Sequence, residues 1–486
     1  MRRVQTNVIC RPAVIQSGNG RAGIVLRRET HADLLRAELI ACWEEANTMP
    51  QSSVDRCDAI VIGAGIIGAA VALELSRAGR SVLVVDAAAA PGMGSTGASS
   101  AIIRTHYSKR DSVIAARDCY YDWLSWSDYL QFDDPVGMIR FIRTGALVLD
   151  GVDTRRRAFT EIFDSIGITY HELDADGIAE RFPALDPTVF GPPRLPEDDE
   201  FWRPGAGPLS GFYYEDAGFV DDPQLAAHNL CAAAAQHGAR FLFHRRVTQI
   251  IARHNRVAGV RLSGGTEVVA PVVVNAAGPA SDQLNVLAGV TKDISVRSRP
   301  LRTETHEVPA PAGFEIGAAG TFVTDLDLGF AFRPHHNQRL HVSSIEPDCD
   351  PLDWVTDPWS FDPAATEQFY HRQTLRAARR MPNLRVPNRP VGIGALYDVT
   401  PDWTPIFDRS SLDGFYLACG TSGNAFKLAP MAGRALLAII TGTEAGLDHD
   451  DDPIMLKAPR VDGEINLAKF SRLRPLNQTS PTNVIG

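Results

Sequence analysis

Short uncharged runs, closed by glycine or an acid, alternate with alanine-rich or amphipathic stretches along most of this chain. A continuous apolar run of four to eight residues reads as a buried strand, and a 3.6-residue apolar period reads as a helix. Residues 59–62, 81–85, 272–275 and 415–419 are runs of the first kind. Helices are expected from near Gly65 to Ala78, around residues 120–129, and over 224–237, 280–287 and 428–441. Residues 239–243, 247–253, 257–262 and 267–270 read as further strands, the last two joined by a Gly264-Gly265 turn. Residues 330–336 and 339–346 read as two neighbouring strands. Residues 183–211 are rich in Pro, Gly and acid, which predicts a long irregular loop: a surface insertion, a lid or a partner surface. Strands alternating with helices define an α/β protein.

The stretch from Asp58 to Asp86 adds chemistry to this pattern. A strand is followed by Gly63, Gly65 and Gly68 at the dinucleotide-binding spacing, then a helix, a second strand and Asp86. Gly63 permits the tight turn, Gly65 lets backbone approach a pyrophosphate, and Gly68 lets helix pack on strand. The amides of Ile66 and Ile67 open a helix whose positive end faces the phosphates. Asp86 accepts from a ribose hydroxyl, with Ala87 beside it. FAD and NAD fit this motif equally well. A membrane span does not, because the uncharged run 59–73 is shorter than the roughly 20 residues a bilayer needs.

At 486 residues the chain is long enough for two or three domains. A net charge of −10 argues against nucleic acid or an anionic membrane as partner. Seven scattered cysteines with no CxxC predict free thiols in a reducing, cytoplasmic setting and no zinc site. Residues 1–28 hold six Arg and no acid, a faint transit-peptide character. Residues 30–47 read as a short amphipathic helix. The plain reading of 1–55 is an extension without catalytic role.

After Asp86, Gly94-Ser95-Thr96-Gly97-Ala98-Ser99-Ser100 leads to Ile102-Ile103-Arg104. This segment resembles the one after the second strand in the D-amino-acid oxidase/sarcosine oxidase superfamily of FAD enzymes. The resemblance implies that Ser95, Thr96, Gly97, Ser99 and Ser100 run beneath the flavin. It also implies that Arg104 reaches a substrate carboxylate. Val272–Asn275 followed by Ala276-Ala277-Gly278 resembles the family's second dinucleotide-domain motif, with Val247 also expected near the cofactor. Residues 330–346 resemble the Tyr-Phe-Arg-Pro … Gly-Gly … Glu run of sarcosine and dimethylglycine dehydrogenase-like members. There His341 is a pocket candidate, as is Tyr214 upstream. No lysine in this region matches the one that monomeric sarcosine oxidases use with oxygen, which leaves the electron acceptor open between O2 and an electron-transfer partner.

The last third carries the fullest resemblance. Tyr397 to Ile406 resembles the family's Tyr-x-x-Thr-Pro-Asp-x-x-Pro-Ile segment. Gly420-Thr-Ser422-Gly423-Asn424-Ala-Phe426-Lys427 resembles its Gly-x-Ser-Gly-His-Gly-Phe-Lys signature. The resemblance implies that this turn and the following helix face the flavin, and that Lys427 helps bind a substrate carboxylate. Ala395 and Leu396 stand where some members carry a tethering cysteine. Asn424 replaces the usual histidine, and Gly97 lies where some relatives have a tethering histidine. Non-covalent FAD is therefore expected.

These readings predict an FAD-binding Rossmann-like domain over 56–110, 212–296 and 391–445. It is interleaved with an α+β substrate domain over 111–211 and 297–390, built on a mixed or antiparallel sheet. Residues 446–486 read as a solvated tail. The expected reaction is oxidation of a C–N bond in a secondary or tertiary amine, an N-methyl amino acid, with Lys427, Arg104, Tyr397 and His341 lining the site. D-amino-acid or 2-hydroxy-acid dehydrogenation on the same fold, or service as the flavin subunit of a larger complex, are the alternatives. No metal site is expected, since His335 and His336 have no partners at a ligand spacing.

Overall fold

The structure is a computed structural model that describes Trp43 and residues 56–476. Its first sheet grows from the apolar runs. In chain order these are β1 (Ala59–Ile62), followed by helix α1 (Ile66–Arg77), and β2 (Val82–Val85). Helix α2 (Arg110–Leu124) then leads into the second sheet through β3 (Ala146–Asp150) and β4 (Ser210–Tyr214). The chain returns to the first sheet with α3 (Pro223–Gln236), β5 (Arg240–Leu242), β6 (Val272–Asn275) and α4 (Ser281–Ala288). It crosses again through β7 (Arg299–Pro309), β8 (Phe322–Asp325), β9 (Phe330–His335), β10 (Arg339–Ser344), α5 (Glu367–Arg380) and β11 (Gly392–Val399). It closes the first sheet with β12 (Ile406–Arg409), β13 (Phe415–Cys419) and α6 (Ala429–Glu444).

The first sheet runs β12-β13-β6-β1-β2-β5 and is parallel except for the edge strand β12. Both faces of β1 are buried, which is why its sequence does not alternate. Ala59 and Val61 pack toward α1, α3 and α6, while Ile60 and Ile62 pack toward a three-stranded sheet of residues 247–269. The second sheet has nine strands among the described residues. β7, β10, β9, β8, β3 and β4 are successive neighbours in it, and β11 pairs along β7 in antiparallel register from Arg299↔Val399 to His306↔Gly392. The expected α/β fold with a mixed second sheet is thus present.

Three expectations meet the structure differently. The loop over 183–211 is irregular apart from a 3-10 turn, Asp199–Trp202, and its last two residues, which open β4, but it is firmly held. Arg376 and Arg380 of α5, both fully buried, donate to the carbonyls of Arg194 (2.9 Å) and Thr188 (2.8 Å). Asp327 accepts from the amides of Phe190 and Gly191. The tail is not solvated over 446–476. It forms a hairpin, Met455–Lys457 with Glu464–Asn466, and buries Ile465, Leu467 and Phe470. Arg474 then pairs bidentately with buried Asp402, at 2.9 and 2.8 Å. Its charged composition masks an apolar side that finds a core only in three dimensions. The helix expected over 30–47 lies outside the described residues except for Trp43, whose indole donates to His228 Nδ1 at 2.9 Å.

Candidate functional site

A cavity of about 650 Å³ lies where the carboxyl edge of the first sheet meets one face of the second. Ile62 and Val85 end their strands at its wall, and Ala276 follows β6 there, the place where open parallel sheets take their ligands.

The nucleotide end is made mainly of backbone. Gly63, Gly65, Ile66 and Ile67 line it. At Gly63 φ is +109°, and a Cβ there would stand 2.3 Å from the Ala276 carbonyl oxygen. Gly68 sits behind the wall, where a Cβ would meet the Gly63 oxygen at 2.0 Å. Its role is helix–strand contact, as the motif predicts, and it does not itself line the cavity. Helix α1 has no side-chain cap from its N-cap residue, Gly65, and no acid in its first turn, so its positive end beyond the Ile66 amide is open to an anion. Thr96 Oγ1 accepts from the Ile66 amide at 3.0 Å. The Asp86 carboxylate is fixed by the amides of Ala64 (2.6 Å) and Ala88 (2.7 Å), and burial raises its carboxyl above the ordinary range. Each oxygen keeps a second lone pair for a ribose hydroxyl. Ala87, Val247, Ala277 and Gly278 also line this part. A diphosphate and a ribose diol fit this donor and acceptor set.

Ser95, Thr96, Ser99 and Ser100 line the middle of the cavity, and Ser95 Oγ donates to the Leu396 carbonyl at 2.6 Å. Gly97 does not line it; its amide closes the turn onto Gly92 O at 2.7 Å. Gly420 and Ser422 likewise stay behind the wall, the buried Ser422 hydroxyl donating to Gly420 O at 2.9 Å. Gly423, Asn424, Phe426 and Lys427 do line it.

The far end is made of side chains. Lys427 stands in the 3-10 turn Phe426–Leu428 that precedes α6, with Phe426 stacked on Trp123. Its ammonium is buried and donates to Tyr107 Oη (3.0 Å) and the Asn424 carbonyl (2.5 Å). Burial, and then the charge of Arg104, push it well below the usual lysine range. Buried Arg104 lies over the Tyr107 ring at 4.5 Å and donates to the His106 carbonyl. Two cations held close in a dry pocket favour an anionic guest. His106 is buried behind them between Tyr214 Oη (2.6 Å) and Thr324 Oγ1 (3.1 Å). Burial and then Arg104 keep its imidazole neutral. Tyr214 does not itself line the cavity and acts on it through neighbours, His106 and Arg104 among them.

The second sheet supplies the wall that the sequence did not reveal: Thr303 and Thr305 of β7, Thr324 of β8, Ala331 of β9 and Ser343 of β10. Alternate positions on a strand share a face, so the pattern is visible once this sheet is known to cover the cavity. Tyr397 lines it too, and burial and then Glu346 hold its phenol above the usual range. Burial and then Asp350 raise the Glu346 carboxyl to about 7, and its Oε1 accepts from Thr303 at 3.1 Å.

His341 is a correction. It lies two residues before Ser343 and does not line the cavity. Its ring stacks on His335 at 3.9 Å, and its Nε2 is 3.3 Å from Glu307 Oε1. Glu307, His335 and His341 bring possible ligand atoms within 4.8 Å of one another, a grouping hidden in sequence because they come from three strands. Arg339 is 3.5 Å from Glu307, and Arg333 is 3.3 Å from His335. This positive surround opposes a further cation, and we assign no ion to the group.

Comparison with known proteins agrees with this architecture. Residues 58–439 match the family model described as FAD dependent oxidoreductase (DAO), and the chain belongs to that family. It is an FAD-dependent oxidoreductase. It is 26% identical over 392 residues to peroxisomal sarcosine oxidase of Homo sapiens, covering 79% of this chain and 91% of that one. It is 39% identical over 84 residues to the tRNA 5-methylaminomethyl-2-thiouridine biosynthesis bifunctional protein MnmC of Polaromonas sp., a match spanning 17% of this chain and 13% of that protein. L-proline dehydrogenase from P. horikoshii superposes with a TM-score of 0.68 at 20% identity, covering 87% of this chain and 98% of that chain. Among the described residues no helix is long and apolar enough to cross a membrane, and Cys57, Cys119, Cys231, Cys349 and Cys419 are free thiols.

Proposed function

We propose that this chain oxidises the C–N bond of a secondary or tertiary amine bearing a carboxylate, an N-methyl amino acid of the sarcosine type. The observation that carries the reading is Lys427, a buried ammonium beside Arg104 on the same cavity wall. Lys427 and Arg104 bind the substrate carboxylate, whose charge restores what burial takes from both cations. That places the amine and its α-carbon toward the mixed wall of Thr303, Thr305, Phe322, Ala331 and Tyr397. Asp398 lines the cavity beside Tyr397, but its carboxyl accepts from the Thr421 hydroxyl and burial raises it, so it is a poor partner for a cationic amine. The limited polarity of the wall favours the neutral amine, whose lone pair is needed for oxidation. FAD, held by the turn over residues 63–67 and Asp86, would supply the two-electron acceptor for the hydride lost from the carbon beside the amine nitrogen. The remaining contribution of the chain is positioning and exclusion of water, and the imine product hydrolyses after release. Similarity to sarcosine oxidase supports the same substrate class. Among the described cavity-lining residues there is neither Cys nor His, which supports non-covalent binding of FAD. The titration below decides the acceptor between O2 and an electron-transfer partner.

The test is anaerobic titration of the yellow protein with sarcosine, D-alanine and glycolate in separate cuvettes. Bleaching near 450 nm by sarcosine alone is the expected result. Bleaching by D-alanine or glycolate, with sarcosine inert, would replace this reading with amino-acid or hydroxy-acid oxidation. Admission of air then separates oxidase from dehydrogenase, since rapid return of colour requires reaction with O2.

A further inference from the structure

Residues 355–366 leave the second sheet after the short strand Asp353–Trp354 and run to α5, and on the way Pro358, Trp359, Phe361 and Pro363 line the cavity. Both ends of this segment are anchored. Val355 N donates to Pro300 O at 3.0 Å. At the other end Arg302 donates to the carbonyls of Asp362 (3.0 Å) and Ala364 (2.7 Å), and Thr366 is held by Glu304. The middle is held differently. Asp357 turns the chain by accepting from the Trp359 amide at 3.1 Å, and Trp359 then reaches across to the other lobe. Its indole N–H donates to Gln283 Oε1 of α4 at 2.8 Å, and its ring lies under the Arg246 guanidinium at 4.0 Å. Arg246 follows Arg245, whose amide donates to Asp86 O at 2.9 Å, so this contact lies at the nucleotide end and not at the Lys427 end.

Trp359 lines the cavity and is 46% exposed. A half-exposed indole at the mouth of a ligand cavity leaves apolar surface that a bound ligand would cover. Its two contacts across the cleft are a hydrogen bond and a cation–π contact, each worth about 0.5–1 kcal/mol at an exposed site. Such a clasp can open without disturbing either anchor, and opening it clears the side through which a molecule as long as FAD would pass. We infer that residues 355–366 form a strap over the nucleotide half of FAD, with Trp359 as the clasp that closes it against Arg246 and Gln283 and slows cofactor release. This role concerns cofactor retention and does not depend on which substrate the enzyme oxidises.

The experiment measures FAD release from the holoenzyme by recovery of flavin fluorescence after dilution, in wild type, W359A, W359F, R246A and the W359A/R246A pair. Release should be about tenfold faster in W359A, the equivalent of ~1.4 kcal/mol. W359F, which keeps an aromatic face under Arg246, should fall between W359A and wild type. R246A should accelerate release in the wild-type background and add nothing in W359A, because the two side chains make one contact. Trp202→Ala, on an exposed tryptophan of the 183–211 loop, should release FAD at the wild-type rate. Wild-type release from W359A, or a full R246A effect persisting in the W359A background, would overturn the strap. If W359A does not fold by circular dichroism, W359F and R246A carry the test, and wild-type release from both would overturn it.

Discussion

The two ends of the cavity are built on opposite plans. The nucleotide end is backbone: the turn at Gly63, the open amides of α1 and the amide-fixed carboxylate of Asp86, all from one stretch of 29 residues, 58–86. The catalytic end is side chain: Arg104, Thr303, Thr324, Ser343, Tyr397 and Lys427, drawn from segments more than 300 residues apart. A phosphate is recognised by any well-placed amide, so a geometry that only glycine tolerates suffices there. A substrate must be told from its analogues, which needs particular functional groups converging from several elements.

The largest effect expected on this contrast is at the nucleotide end. Gly63→Val places a branched side chain against Ala276 O at a positive φ, a backbone cost of about 1–3 kcal/mol before the steric clash. The purified variant should be colourless, as read by absorbance at 450 nm, while a folded, yellow G63V would show that the turn is not built as described. Next is Lys427→Met, which should keep FAD and lose ~10²–10³-fold in kcat/KM for sarcosine, the scale of breaking a buried ion pair. An equal loss toward an amine without a carboxylate would show that Lys427 does not bind that group.

Glu346 offers a pH test of the wall beside Tyr397. Its carboxyl is raised to about 7 against an ordinary value near ~4.3, so the folded state holds a proton that the unfolded state has lost. This group's contribution is fully present below pH ~4.3 and is lost as pH rises toward 7, by up to about 4 kcal/mol. Glu346→Gln should therefore gain stability relative to wild type as pH rises over that window, measured by urea unfolding at several pH values. A constant difference would place the titration elsewhere. The smallest effect expected is at Thr96, where valine removes the acceptor of the Ile66 amide. FAD affinity should weaken about fivefold, ~1 kcal/mol, by fluorescence titration.

The same contrast explains what could be read in advance. The strands of the first sheet other than β12, and the helices α1, α3, α4 and α6, were legible to within a few residues, because each is a continuous apolar run or period bounded by Gly, Pro or acid. Lys427 and Arg104 were reached through resemblance, and folding sets both on the cavity wall. His341 was misjudged because a two-residue step along β10 separates the cavity wall from the Glu307 group, and no local signal marks where the cavity stops. Gly97, Gly420 and Ser422 were taken for lining residues because a motif records which residues shape a turn as well as those that face a ligand.

The sequence alone determined the nucleotide-binding unit and the α/β class, since these rest on periodicity and on glycines whose demands are local, while the interleaving of two sheets was legible only through the family resemblance. Only the tertiary structure decided which face of the second sheet covers the cavity, that residues 446–476 pack instead of trailing, and that Trp359 meets Arg246 and Gln283 across the cleft. Those outcomes depend on contacts between residues distant in the chain, and burial and pairing energies act on what is near in space, whatever the separation in sequence.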